Sequence, residues 1–524
     1  MRLYVLLLTA VLALQHPIAS MSQGIPPKKP NILFIAVDDL KPDMGAYGNK
    51  LVKTPHIDRL AARGTTFLRN YCQQAVCGPT RASLMTGMRP DFTRVWDLKT
   101  RMRDINPNIL SLPQYLITQG YSTQGIGKIY DSRCVDSQYD GPSWSVPYYS
   151  QADEYFSSET GKPAYYYQLP ATKKLVEQYR VEALEKGIPP AQVREEVLRH
   201  IKPATECADV PDNAYVDGAV ALKAKDLLKA LQTSDKPFFL GVGFSKPHLP
   251  FVAPKKYWDL YQREDIPLAS FQAHSKNGPP MAYHASGELR SYTDISPLCR
   301  DSSHMQLPNE KQKELIHAYY AAISYTDAQI GLLLETLDSL GMRDNTIIVL
   351  WGDHGWHLGD HDLWCKHSNF EQATRAPLIV SAPGMRPSRT NSPTEFVDVF
   401  PTLCDLIGVA IPSHLQGKSL EPLMKNPNAR VKDFAVSQYP RSGSGAELQR
   451  LGYAEPKCMG YSLRTHRYRY TLWVSNPHPG QQPFEESMVV AREMYDYRLD
   501  PAESRNVVSR MPYKKRPPDC TRNW

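Results

Sequence analysis

Several features that would assign this chain to other classes of protein are absent from its sequence. The 524 residues contain no internal repeat and no dense run of Lys or Arg, although the net charge is +7. The lack of a basic run argues against nucleic acid as a partner. Beyond the N-terminus no apolar stretch is long enough to span a bilayer, so we expect no membrane span. No Asn-x-Ser/Thr glycosylation sequon is present, and in an exported enzyme this absence favours a bacterial source.

The first twenty residues have the pattern of an export signal. Arg2 precedes an apolar run from Leu3 to Leu14, and small residues follow before position 21. The run is too short for a transmembrane helix and has the arrangement of a signal peptide. We therefore predict a signal peptide over residues 1–20 and a secreted or periplasmic protein. Nine cysteines in an exported chain favour disulfides, and the odd number leaves at least one thiol over.

Apolar runs alternate with amphipathic segments over most of the chain. Buried strands are predicted at Asn31 to Val37, Pro237 to Phe244 and Thr346 to Trp351. Helices are predicted at Thr54 to Arg63, Ser111 to Gln119, Asn213 to Leu231 and Asn309 to Leu340. This alternation indicates an α/β domain, residues 28–425, with a largely parallel sheet and helices on both faces.

The character of the sequence changes after residue 425. Short alternating strands are predicted around Phe434 to Tyr439, Tyr461 to Val474 and Met494 to Leu499. We interpret residues 426–524 as a smaller antiparallel C-terminal subdomain.

Acidic residues stand at the ends of two predicted strands. Asp38 and Asp39 directly follow the first strand, and Asp353 and His354 follow the strand that begins at Thr346. In open α/β sheets ligands collect at the carboxyl ends of the strands. Three carboxylates with a fourth ligand suit a hard divalent cation such as Ca²⁺ or Mg²⁺. For either pair alone, the simpler interpretation is a polar start to a loop.

Cys77 precedes Pro79 at a predicted helix start. A helix N-terminus favours anions and lowers the pKa of a thiol, and Arg81 can approach from the first turn. The alternative is a buried or disulfide-bonded cysteine before a helix cap.

The run C-G-P-T-R from Cys77 to Arg81, followed by A-S-L-M-T-G, resembles the signature of the formylglycine-dependent, type I sulfatase family. In that family the cysteine is oxidised after synthesis to formylglycine (3-oxoalanine), whose hydrated aldehyde is the nucleophile. The resemblance implies that a formylglycine-generating enzyme modifies Cys77 and that Arg81 holds the modified side chain. It also implies one divalent cation, Ca²⁺, bound by the set Asp38, Asp39, Cys77, Asp353 and His354. His354 stands where many members have Asn.

The same resemblance covers nearly the whole mature chain. It implies an alkaline-phosphatase-like sandwich, with a large mostly parallel sheet flanked by helices and a small antiparallel C-terminal subdomain. Gly127-Lys128 resembles the second family signature, and His248 and Lys366 follow strand ends. By resemblance these three side chains bind sulfate and donate protons, although singly each would more often be solvated surface. A disulfide between Cys134 and Cys207 is implied as well.

At one position the chain departs from the family pattern. The second signature normally has His shortly after its Lys, whereas this chain has Asp131. Asp131 could serve as the base, or His357 or His361 could reach the site. The alternative is a slow or inactive enzyme.

The resemblance is closest to the branch of the family that removes 2-O-sulfate from uronic acids, so the expected partner is a sulfated glycan. The loop Tyr139 to Pro170 is a candidate for specificity. Two other functions stay open, namely a catalytically impaired protein that binds sulfated glycans and a phosphoric ester hydrolase of the same superfold. A phosphoric ester hydrolase would need a Ser or Thr nucleophile and a second metal. Cys77 in this motif argues against that function.

Overall fold

The computed structural model describes residues 29–150, 153–299, 304–442, 457–475 and 484–509. The predicted signal peptide, residues 1–20, lies outside the described residues. Within the described ranges, no helix combines the length and the apolar character needed to cross a lipid bilayer.

The strands, in chain order, are β1 (Asn31–Val37), β2 (Thr65–Phe67), β3 (Asn70–Tyr71), β4 (Ser122–Gly127), β5 (Thr205–Ala208), β6 (Phe238–Phe244), β7 (Phe251–Pro254), β8 (Thr346–Gly352), β9 (His357–Leu358), β10 (Trp364–Cys365), β11 (Leu378–Ser381), β12 (Ser388–Thr390), β13 (Thr394–Glu395), β14 (Phe434–Ser442), β15 (Lys457–Thr465), β16 (Tyr468–Val474) and β17 (Val489–Asp496).

The α-helices are α1 (Pro55–Ala61), α2 (Cys77–Thr86), α3 (Pro90–Thr93), α4 (Met102–Ile105), α5 (Leu112–Thr118), α6 (Pro170–Glu185), α7 (Pro190–His200), α8 (Val216–Leu231), α9 (Lys255–Trp258), α10 (Gly287–Arg290), α11 (Asn309–Ser339), α12 (Glu371–Thr374), α13 (Val399–Leu406) and α14 (Glu421–Lys425).

The central sheet has seven strands in the order β12-β2-β11-β8-β1-β6-β4. Strands β4, β6, β1 and β8 are parallel to one another, and β11 pairs antiparallel with both β8 and β2. The sheet is therefore mostly parallel, as predicted. Because β1 lies between β6 and β8, the segments that follow these three strands meet at one edge.

Two apolar cores cover the two faces of this sheet. Along β1, Leu33, Ile35 and Val37 belong to one core, while Ile32 and Phe34 belong to the other. This alternation follows from the two-residue period of a strand. Helices α8 and α11 cover the first face, and α2, α5 and α13 contribute to the second. The layered sandwich confirms the predicted fold class.

A four-stranded antiparallel sheet, in the order β14-β15-β16-β17, forms the C-terminal part of the described chain. It is joined to α12 by ion pairs, because Arg469 contacts Glu371 at 2.7 Å and Arg464 contacts Glu371 at 3.0 Å. Arg469 also contacts Glu503, which follows β17, at 2.8 Å. The domain boundary between residues 425 and 426 stays a prediction.

The expected Cys134–Cys207 disulfide is wrong. Both residues carry free thiols. Cys134 belongs to the core on one face of the central sheet, and Cys207 packs against the core on the other face. The sheet thus separates the two sulfur atoms. The general expectation of disulfides also fails at four further free cysteines, namely Cys72, Cys299, Cys365 and Cys404.

Candidate active site

Four acidic and imidazole side chains meet at the carboxyl ends of β1 and β8. The backbone N–H of Asp39 donates to Asp353 Oδ1 at 3.0 Å. His354 Nε2 lies 3.4 Å from Asp39 Oδ1 and 3.6 Å from Asp353 Oδ1. Asp38 completes the group, and all four residues are buried. The two strand ends predicted from sequence therefore converge on one point.

Cys77 is the first residue of α2 and faces this group. Its Sγ lies 3.6 Å from His354 Nε2, and it is 1% exposed. The ligand atoms of Asp38, Asp39, Cys77 and His248 lie within 4.8 Å of one another, as do those of Cys77, Asp353 and His354. The predicted lowering of the thiol pKa by the helix N-terminus is wrong, because burial and the charge of Asp38 raise the pKa of Cys77.

Arg81, one turn along α2, is fully buried and links the strand ends. Its Nε donates to Asp353 Oδ2 at 3.0 Å, and one terminal nitrogen donates to Asp38 Oδ1 at 3.2 Å. The other terminal nitrogen donates to the carbonyls of Lys128 and Ile129. Arg81 therefore fixes both carboxylates and the segment after β4 in one arrangement.

Two lysines neutralise the carboxylates. Lys128 Nζ pairs with Asp38 Oδ2. Lys366 Nζ, after β10, lies 3.0 and 3.1 Å from the two carboxylate oxygens of Asp39 and 3.1 Å from Glu288 Oε1. Both ammonium groups line the space around Cys77, where they can meet an anionic substrate.

His248 faces the same space from the segment after β6. Its Nδ1 lies 2.6 Å from the Leu249 carbonyl, and its Nε2 lies 3.2 Å from Glu288 Oε1 and 3.8 Å from Asp39 Oδ2. Both ring nitrogens thus have acceptors, which suits a proton donor. Burial and the charge of Lys366 lower the pKa of His248 to about 3 without substrate; a bound anion would raise it.

Glu288 on α10 is the site residue that sequence reasoning missed. It accepts from Lys366 and faces His248 and His367, the last at 4.0 Å. Burial opposes its ionisation, but Lys366 and His248 outweigh burial and lower the pKa of Glu288. No strand end or motif surrounds Glu288 in the sequence, so no signal of these kinds could have identified it.

Asp131 lies near the site but is engaged elsewhere. Its carboxylate accepts from Arg133 Nε at 2.9 Å and from a terminal nitrogen of Arg133 at 2.8 Å. Burial raises the pKa of Asp131, but Arg133 and Lys128 outweigh it and bring the pKa to about 2. A carboxylate this acidic is a weak base near neutral pH.

The other two candidate bases make contacts away from Cys77. His357 Nε2 lies 2.9 Å from Ser368 Oγ. The ring of His361 stacks on Phe370 at 4.1 Å, and its Nε2 lies 3.4 Å from the Glu503 carbonyl.

The donor set fits a hard divalent cation. Burial raises the pKa of Asp39, with Asp38 and Glu288 adding to the effect, and burial and Asp38 raise the pKa of Asp353 to about 7. Crowded buried carboxylates of this kind are relieved by a bound cation. Burial also lowers the pKa of His354 and keeps its ring neutral, as a metal ligand must be.

Family models and a curated relative match most of this chain. The sulfatase family model matches residues 30–409, and the model for the C-terminal region of N-sulphoglucosamine sulphohydrolase matches residues 359–517. Iduronate 2-sulfatase of Mus musculus is 34% identical over 91% of this chain and 90% of its own length.

Solved structures share the fold at lower identity. One is a protein solved in complex with its substrate, D-glucosamine-2-N,6-O-disulfate. Its TM-score with this chain is 0.66 and its identity 22%, over 93% of this chain and 95% of that protein. Another is the phosphonate monoester hydrolase of Agrobacterium radiobacter, with a TM-score of 0.64 and 23% identity over 93% of each chain.

The architecture is the alkaline-phosphatase-like sandwich, with its site at the carboxyl edge of the sheet. With a family match across most of its length, this chain belongs to the sulfatase family and is a sulfatase, a hydrolase of sulfuric esters.

Proposed function

We propose that this chain removes the 2-O-sulfate of a uronic acid or a related sugar from a sulfated glycan, with Cys77 converted to formylglycine and Ca²⁺ as the metal. The observation that carries the proposal is the placement of Cys77 at the start of α2, 3.6 Å from His354 and within ligand distance of Asp38 and Asp39. The similarity to mouse iduronate 2-sulfatase supports the choice of sugar and sulfate position.

The charge of the site supports an anionic substrate. Asp38, Asp39, Asp353 and Glu288 stand against three cations, so the side chains alone carry a net charge of about −1 when the histidines are neutral. A divalent cation would reverse this sign, and a monoanionic sulfate ester would then neutralise the site. The metal would be held by Asp38, Asp39, Asp353 and His354, together with the modified side chain of Cys77.

Formylglycine would supply an oxygen nucleophile that the thiol of Cys77 cannot, and the cation would reduce the charge repulsion during attack on sulfur. The remaining work falls to side chains of this chain. Lys128 and Lys366 bind the non-bridging sulfate oxygens, because their ammonium groups are held beside Cys77 by their ion pairs with Asp38 and Asp39. Arg81 keeps Asp38 and Asp353 in place.

His248 is placed to protonate the leaving oxygen. Glu288 orients its Nε2 at 3.2 Å, and the negative charge of a bound sulfate favours the protonated ring. Asp131 holds Arg133 near the site instead of acting as the base, because their ion pair makes its carboxylate too acidic.

The first experiment is mass spectrometry of the Cys77 peptide from protein made together with a formylglycine-generating enzyme. We expect a loss of roughly 18 Da, the change from CH₂SH to CHO. The mature protein is then assayed on disaccharides with 2-O-sulfated uronic acid ends, with matched phosphate esters as a control. Cys77→Ser, made in the same host, is expected to be inactive.

A Cys77 that stays a thiol despite competent maturation would contradict the nucleophile. Release of phosphate in preference to sulfate would favour the phosphoric ester hydrolase. Binding of sulfated glycan by fully converted protein without sulfate release would favour the catalytically impaired alternative.

A further inference from the structure

A second cluster of metal-ligand side chains lies away from Cys77. His274, His304 and Asp362 each offer one ligand atom, and these three atoms lie within 4.8 Å of one another. They come from the loop before α10, the residues just before α11 and the connection between β9 and β10. Three segments distant in sequence therefore bring two imidazoles and a carboxylate to one point.

In the described part of the chain, His274 brings a buried ring nitrogen without a partner to this cluster. His274 Nε2 is buried and has no hydrogen-bond partner among the described residues. A buried imidazole nitrogen without a partner is costly, and a ligand would relieve that cost. The ring itself is held firmly, because it stacks on Tyr283 with centroids 3.8 Å apart.

Asp362 is oriented by the backbone. Its Oδ1 accepts from the N–H groups of Met305 and Gln306 at 3.2 and 3.1 Å. These bonds occupy Oδ1, so Oδ2 is the oxygen that faces His304, and they are the kind of outer support that fixes metal-binding carboxylates. His304 Nδ1 lies 2.7 Å from that Oδ2. A tetrahedral ion with bonds of about 2.0 Å would need these two atoms about 3.3 Å apart, which is a small side-chain movement.

We propose that His274, His304 and Asp362 form a second metal site, which takes a borderline divalent cation such as Zn²⁺. Two imidazoles and one carboxylate with an open position are a donor set suited to Zn²⁺ and poorly suited to Ca²⁺, which prefers oxygen. The side chain of His304 is 38% exposed, so the ion can enter from solvent and water can complete its coordination.

The ion would brace the segment that carries Lys366. Asp362 lies four residues before Lys366, with β10 between them. A metal that ties Asp362 to His274 and His304 would hold the β9–β10 hairpin against the loop before α10 and the segment before α11. The role is structural and does not depend on sulfatase activity.

The test uses the full mature chain without an affinity tag, stripped with a chelator and then kept in Ca²⁺ so that the acidic site at Cys77 is filled. Zn²⁺ is titrated against a chromophoric competitor, and Co²⁺ is added separately for its visible spectrum. We expect one equivalent of Zn²⁺ with a dissociation constant below about 1 µM and a higher melting temperature on binding.

Two variants and a matched control test whether the bound Zn²⁺ lies at this cluster. His274→Phe keeps the stacking on Tyr283 but removes the ligand nitrogen, and His304→Ala changes a partly exposed residue. Each should weaken Zn²⁺ binding at least about a hundredfold. His200→Ala should leave it unchanged, since exposed His200 is paired with Glu196 at 3.2 Å much as His304 is with Asp362.

Cys77→Ser should also retain the Zn²⁺ equivalent, which separates this site from the acidic one. Near-ultraviolet circular dichroism confirms that each variant is folded, and if one variant is not, the other decides. The proposal is overturned if no equivalent binds below the stated constant, or if the equivalent persists in a folded His274→Phe or His304→Ala protein.

Discussion

Asp131 stands where the resemblance to the sulfatase signature predicts a His, and its surroundings define what it can do. The carboxylate is held by two hydrogen bonds from the Arg133 guanidinium. We expect Asp131→Asn to retain a kcat within about tenfold of the parent, because a base with a pKa near 2 contributes little at neutral pH. Lys128→Ala, measured alongside on the same substrate, should lose a hundredfold or more.

A loss above a thousandfold in Asp131→Asn, together with disappearance of the acidic limb of the pH–kcat profile, would make Asp131 the base after all.

Among the site residues, Arg81 is the one whose removal should lower the free energy of unfolding most. Without its guanidinium, Asp38 and Asp353 lose a partner in the interior, and breaking a buried pair costs roughly 3–5 kcal/mol. We expect Arg81→Met to lower the free energy of unfolding by about that amount in urea titrations with Ca²⁺ present. Lys128→Met is the comparison, since Lys128 is partly exposed and should cost less. Equal losses in the two variants would refute this ranking.

Among the individual site residues, the sequence identified those that stand at strand ends or in signature motifs. Asp38, Asp39, Cys77, Arg81, Asp353 and His354 could be predicted because each is tied to a strand end or a helix start. Glu288 could not, since its contact with Lys366 depends on where the short helix α10, far from Lys366 in sequence, is placed in the fold. The thiol pKa of Cys77 was also predicted in the wrong direction, because sequence does not report the depth of burial.

Among the elements, the long apolar runs were predicted most closely. β1 and α11 begin where expected, and β8 extends one residue further than predicted. The short strands β2, β11 and β12 were not predicted. Strands of three or four residues show too little alternation to be recognised, and their pairing is decided by contacts distant in sequence.

The C-terminal sheet contains a carboxyl that makes a pH dependence testable. Glu493 on β17 is buried and accepts from Trp473 Nε1 at 2.6 Å and from the Tyr495 hydroxyl at 2.7 Å. Burial raises the pKa of Glu493 to about 7. A carboxyl whose folded pKa exceeds its unfolded value stabilises the fold only while protonated. Its contribution is therefore complete below about pH 4.5 and is lost as the pH rises through 7.

Glu493→Gln keeps the shape and removes this ionisation. We expect the melting temperature of the variant, relative to the parent, to rise between pH 5 and pH 8, because each unit of pKa is worth about 1.4 kcal/mol. Thermal unfolding followed by circular dichroism at both pH values is the measurement. A difference between the two proteins that stays constant with pH would contradict the assignment.

For the molecule as a whole, the acidic site joins strands from the middle of the central sheet, so its occupancy should affect global stability. We expect a chelator to lower the melting temperature by several degrees and Ca²⁺ to restore it, since a ligand at a hundred times its dissociation constant adds about 2.7 kcal/mol. Asp39→Asn should reduce this response, whereas His274→Phe should preserve it. A melting temperature that changes with neither the chelator nor Ca²⁺ would argue against a Ca²⁺ site.

The burial of Cys77 has a consequence for the order of events in the life of the protein. With 1% of its surface exposed at the start of a packed helix, the side chain is out of reach of any other enzyme once α2 has docked. If Cys77 is converted to formylglycine as proposed, we therefore expect the oxidation to precede folding. Protein purified with an unconverted Cys77 thiol is then expected to stay inactive when a maturation enzyme is added later, so specific activity would depend on whether conversion took place before folding.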